Sequence, residues 1–104
     1  MRTTLLVAAA ALPLAAQSPA PRPIRSNDIY RIKSVREPQI SPDGAWVAYV
    51  VSTVDSAADK SDANLWMTSW DGTQRVQLTS TKENETTPRF SPDGRWLAFL
   101  SSRD

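Results

Sequence analysis

The 104-residue sequence contains no cysteine and no histidine, and its 12 basic residues nearly cancel its 11 acidic ones. Without thiol or imidazole the chain supplies no disulfide, no Ser-His-Asp triad, no Cys-His pair and no zinc site of His and Cys ligands. The basic residues form no cluster, so the electrostatic footprint that nucleic acid requires is missing, as is one for an anionic membrane surface. At this length the chain amounts to one small domain at most.

Long apolar runs are equally scarce outside the first seventeen residues. From Leu5 to Ala16 every residue is apolar except Pro13. Behind the short basic stretch Met1-Arg2-Thr3-Thr4, and ahead of the small residues before Gln17, this run reads as a secretory signal peptide over 1–17. It is too short to span a bilayer, which takes about 20 apolar residues. The inference is a periplasmic or secreted protein with no membrane association after cleavage. Three prolines in Ser18-Pro19-Ala20-Pro21-Arg22-Pro23 favour extended backbone, so 18–25 is expected to be a tether. Ser26-Asn27-Asp28 offers capping side chains ahead of Ile29, Ile32 and Val35, whose spacing predicts a short helix over 26–37. Pro38 should end it, because Glu37 is pushed out of the helical region.

Past Pro38 the dominant feature is an internal repeat. Residues 38–50, PQISPDGAWVAYV, and residues 88–100, PRFSPDGRWLAFL, align at a constant offset of 50, with seven of thirteen positions identical and four more apolar in both. In each copy Ser-Pro-Asp-Gly predicts a hairpin corner, since proline presets φ, Asp bonds nearby backbone and Gly accepts positive φ. The runs Trp46 to Val51 and Trp96 to Leu100 are short and apolar enough to be strands buried on both faces. Asn64 to Ser69 and Arg75 to Thr79 read as two more strands, joined by a primed turn at Asp71-Gly72. Thr53 to Ala63 is polar and reads as a loop. One repeat is therefore a four-stranded antiparallel meander, the unit of a β-propeller blade. The fold class is all-β: about one and a half blades over 38–104, with repeats starting at 38 and 88. The second copy stops where the counterpart of the Asn64 strand is due, so an incomplete propeller is expected.

Other side chains read more simply as structural. Ser41 and Ser91 lie close to Asp43 and Asp93, but no base accompanies them and turn chemistry explains both. Asp55, Asp59 and Asp62 lack the alternating ligands and turn glycine of a calcium loop. Trp46 and Trp96 are repeat-equivalent and strand-placed, which favours packing between blades over ligand stacking for these two, with Trp66 read likewise and Trp70 less settled. Asn84-Glu85-Thr86 fits a glycosylation acceptor and reads as an exposed loop. No catalytic, cofactor-binding or metal-binding residue is expected in this chain, and no cofactor.

The order Asp28-Ile29-Tyr30, Val35, Pro38, Ser41-Pro42-Asp43-Gly44, Leu65-Trp66, Asp71-Gly72, Gln77-Leu78-Thr79 and Ser91-Pro92-Asp93-Gly94 resembles the start of exported bacterial peptidases. The family is the prolyl oligopeptidase family of serine peptidases, in its dipeptidyl-peptidase and acylaminoacyl-peptidase branch, and the resemblance covers 27–104. It implies an N-terminal β-propeller that restricts access to a C-terminal α/β-hydrolase domain, with short peptides as substrates. That hydrolase domain would be a missing partner of this chain. No position here matches the family's nucleophile elbow or His segment, and its substrate-amine-binding acidic pair has no counterpart. Two alternatives share similar blades: a non-catalytic periplasmic binding propeller and the propeller domain of an amidohydrolase.

Overall fold

A computed structural model of the chain describes residues 19–103. The expected signal peptide at 1–17 lies outside the described residues. Six strands are present: β1 (Ser34–Ile40), β2 (Trp46–Asp55), β3 (Lys60–Ser69), β4 (Arg75–Gln77), β5 (Glu85–Phe90) and β6 (Leu97–Ser101). The first four form one antiparallel sheet in sequential order, and β5 pairs antiparallel with β6 in a second. This is the all-β meander that the repeat predicts, one complete blade followed by the first half of the next.

The stretch between the tether and β1 departs from expectation. A 3-10 helix covers only Ser26–Arg31, and the residues that were to finish a helix to 37 instead enter β1. A helix of about twelve residues is marginal without a packed face, whereas Val35 and Arg36 gain ladder partners in Val51 and Val50. Pairing with β2 overrides the helical spacing of Ile29, Ile32 and Val35. The helix start is fixed by Asp28, whose carboxylate accepts from the Arg25 N–H at 2.8 Å and forms a two-pronged ion pair with Arg22.

A second departure is the polar stretch 53–63. It is not a loop: β2 and β3 continue through it, with Thr53 opposite Asp62 and Asp55 opposite Lys60, and only residues 56–59 turn. Asp55 Oδ1 accepts from the Ala57 and Ala58 N–H groups and so closes the hairpin end. Side-chain polarity does not forbid a strand whose ladder is already established by Tyr49–Trp66 and Val50–Leu65.

The buried core is small and sits where β5 packs over the first sheet. Ala48 and Val50 of β2, Ala63 and Leu65 of β3, and Pro88 of β5 are buried. Directly opposed residues share a sheet face, so the pairs Ala48–Met67, Val50–Leu65 and Ser52–Ala63 define the face turned toward the second repeat. Tyr49 and Trp66 lie on the other face, where Arg75 sits 5.2 Å above the Trp66 ring.

Three corners of the fold are built alike. At Ser41–Trp46, the Gly44 N–H donates to the Ser41 carbonyl, and the Ser41 N–H donates to the Trp46 carbonyl. Ser91–Trp96 repeats this pattern, as does Ser69–Gln74, where the Gly72 N–H donates to the Ser69 carbonyl. Asp71-Gly72 is therefore not the centre of a two-residue primed turn; Gly72 follows the turn, at φ +73. Gly44 and Gly94 have φ +71 and +72. A Cβ at Gly44 or Gly72 would meet nothing within 4 Å, and at Gly94 only the Pro42 ring, Cδ at 3.5 Å and Cγ at 3.8 Å, ordinary contacts. Alanine at any one of the three is thus expected to cost the backbone term alone, about 1–2 kcal/mol. Urea unfolding followed by tryptophan fluorescence checks this, and equal losses at all three positions are the expected result.

Candidate functional site

The serine of each corner is fully committed to the turn. Ser41 Oγ donates to Asp43 Oδ1 at 2.6 Å and accepts from the Trp46 N–H at 2.9 Å, while the same Oδ1 accepts from the Ala45 N–H. Ser91 with Asp93, Arg95 and Trp96 repeats the set, and so does Ser69 with Asp71, Thr73 and Gln74. The hydroxyl hydrogen bond, with the backbone N–H behind it, holds the carboxyl of Asp43, Asp71 and Asp93 below the usual value of 3.8. Such carboxylates are poorer bases than free ones, so the Ser-Asp pairs serve as corners.

The sign of the pH response follows from that direction. A carboxyl whose folded pKa lies below its unfolded one stabilises the fold fully above the ordinary carboxylate range. That contribution is lost as pH falls from about 4 through the folded values. NMR titration of the side-chain carboxyls should give inflections for Asp43, Asp71 and Asp93 below that of a free aspartate, and Ser41→Ala should return Asp43 toward it.

The region with functional content is the junction of the two repeats. Leu97 and Phe99 of β6 face Leu65 of β3 and Leu78 after β4 across a groove of about 470 Å³. Thr79, Ser80, Thr81 and Arg103 complete its walls. Beside it runs a polar seam. Asn64 Oδ1 accepts from the Thr81 N–H at 3.0 Å, and the Leu65 N–H donates to Thr79 Oγ1 at 2.9 Å. Glu85, at the start of β5, is fully buried. Its Oε1 takes Arg103 at 3.1 Å and the hydroxyls of Thr81 and Ser101 at 3.4 Å, while Oε2 has no partner.

The turn roles of these serines and aspartates are legible in the sequence, whereas this seam is not. Asn84-Glu85-Thr86 is not an exposed loop: Asn84 is exposed, but Glu85 is buried and begins a strand. Nothing in a lone glutamate signals burial. The third corner was legible, since Ser69-Trp70-Asp71-Gly72 carries the same Ser-x-Asp-Gly order as the two recognised copies. Of the tryptophans, Trp46 is half-buried, whereas Trp70 is 69% and Trp96 76% exposed.

The repeat makes that last contrast informative. Val50 is fully buried, and its counterpart Leu100 is 64% exposed; Ala48 is buried, and Ala98 is exposed. The face that β5 covers in the first repeat is bare in the second. Its other face, with Leu97 and Phe99, lines the groove shared with the first repeat. The two repeats therefore dock head to tail, one face of each against the opposite face of the next, which is the stacking of blades in a β-propeller.

Comparison with known proteins shows the family. The N-terminal domain of acylamino-acid-releasing enzyme matches as a family over residues 43–104. An uncharacterized peptidase, YuxL, of Bacillus subtilis is 42% identical over 81 residues, covering 78% of this chain and 12% of its own length. Dipeptidyl-peptidase 5 of Porphyromonas gingivalis is 32% identical over 71 residues, 68% of this chain and 10% of its own. The chain belongs to the acylamino-acid-releasing-enzyme N-terminal domain family, the N-terminal portion of prolyl oligopeptidase-family peptidases. It spans about a tenth of the length of these curated relatives.

Proposed function

We propose that the chain forms the opening of a β-propeller in an exported serine peptidase, in which the propeller restricts access to a hydrolase domain so that short peptides are cleaved. The observation that supports this most is the bare face of the second repeat, Trp96, Ala98 and Leu100, patterned like the covered face of the first. Such a face calls for a further blade, and the peptidase relatives extend far beyond the matched segment. In this reading residues 1–17 are the export leader and 18–25 the tether, which Arg22 anchors through Asp28. This chain contributes scaffold and gate, and the nucleophile and its base come from the hydrolase domain.

The test is hydrolysis by the whole protein of dipeptidyl and acyl-aminoacyl chromogenic substrates, set against a folded protein of similar cleavable sequence. Turnover of the short substrates with the folded protein left intact is the expected result. Cleavage of both at comparable rates would overturn the gating role, and cleavage of neither would overturn the peptidase reading.

A further inference from the structure

The first strands of the two repeats, β1 and β5, carry the same irregularity at the same place. The β1–β2 register shifts between Arg36 and Gln39, and the β5–β6 register shifts between Thr86 and Arg89. Within each bulge one non-glycine residue has positive φ, Glu37 at +55 and Thr87 at +57, and each is followed by proline. The two positions are one repeat apart. Positive φ is disfavoured for both residues, and for β-branched Thr87 it is a genuine outlier. A following proline also pushes its neighbour toward extended backbone. Outliers of this kind persist only where surrounding contacts determine them.

Such a contact is present at Thr87. The bulge leaves residues 87 and 88 outside the β6 ladder, and the Thr87 N–H donates instead to Glu37 Oε2 at 2.6 Å. The bond joins the bulge of one repeat to the bulge of the next, and its acceptor is a carboxylate, which makes it stronger than a neutral pair. Pro88, the next residue, is fully buried in the core that the two repeats share. Thr87 itself carries no carboxylate, so it cannot offer the same acceptor to a following repeat.

We propose that Glu37 is a clasp between the first and second repeats: its carboxylate holds the left-handed kink at Thr87 and thereby seats Pro88 and strand β5 against the first sheet. Glu37 is a positioning residue, and the joint it closes is the one between these two repeats. The clasp rests on the geometry of this joint and does not depend on which reaction the whole protein performs.

Hydrogen exchange at the Thr87 amide reads the clasp directly, and Pro88, having no N–H, simplifies its assignment by mass spectrometry. In the whole protein, Glu37→Ala should speed exchange at Thr87 roughly tenfold or more while the amides of Val50 and Leu65 keep their protection. Glu37→Gln retains an uncharged acceptor and should fall between, and it supplies the measurement should the alanine variant fail to fold. Unchanged exchange at Thr87 in either variant would overturn the proposal. Equal acceleration throughout β2 and β3 would overturn it too, since Glu37 would then support the sheet at large.

Discussion

Leu65→Ala is expected to cost about 2–5 kcal/mol, as for other fully buried leucines cut back to alanine. Leu65 has no exposed surface and lies in the one buried cluster among the described residues, with Val50 and Ala63. It also faces Leu97 and Phe99 across the junction groove, so truncation enlarges a space that is already incompletely filled. Small domains hold only about 5–15 kcal/mol in total, and a loss of this size takes a large share of it. Leu100→Ala is the matched control: at 64% exposure in this chain it should stay within about 0.5 kcal/mol of the parent. Urea unfolding of both variants checks the pair, and similar losses at the two positions would contradict the assignment of buried and bare faces.

The second large effect is expected at the polar seam. Arg103→Met removes the cation from a carboxylate that has no access to solvent, leaving Glu85 with only long hydroxyl contacts on one oxygen and none on the other. Uncompensated buried charge is costly, and breaking a buried pair from one side typically destabilises by about 3–5 kcal/mol. Arg103 is itself half exposed, so its attraction to Glu85 is partly screened and a loss of about 2–3 kcal/mol is expected. Joining Glu85→Met to Arg103→Met should recover most of it, because an apolar pair has no charge to desolvate. A double variant no more stable than Arg103→Met alone would show that Glu85 contributes something besides its partnership with arginine.

The features legible in the sequence are those with a local cause. Ser-Pro-Asp-Gly encodes its own corner, because its Ser and Asp side chains bond backbone within five residues, and the corner formed in both recognised copies. The strand that follows it is readable from its run of apolar residues. Features with a distant cause were hidden. Val35 and Ile32 have helical spacing, and only the presence of β2 makes β1 the better alternative. Asp62 looks like a loop residue until Thr53 is placed opposite it. Glu85 is buried by residues sixteen to eighteen positions downstream, Ser101 and Arg103, and the positive φ of Thr87 is held by a carboxylate fifty residues upstream. The repeat was the most valuable signal, since it turned an exposed Leu100 from an ordinary surface residue into evidence of an uncovered blade face.

A propeller requires that face to be covered in the whole protein. Cysteine substituted at Leu100 and allowed to react with a water-soluble thiol reagent measures it, with cysteine at Val50 as the buried reference and at Ala45 as the exposed one. This chain contributes no cysteine of its own, and labelling of the unsubstituted whole protein in parallel sets the background. In the whole protein, Leu100→Cys should react as slowly as Val50→Cys, because the next blade lies over it. Labelling as fast as at Ala45 would contradict the propeller account.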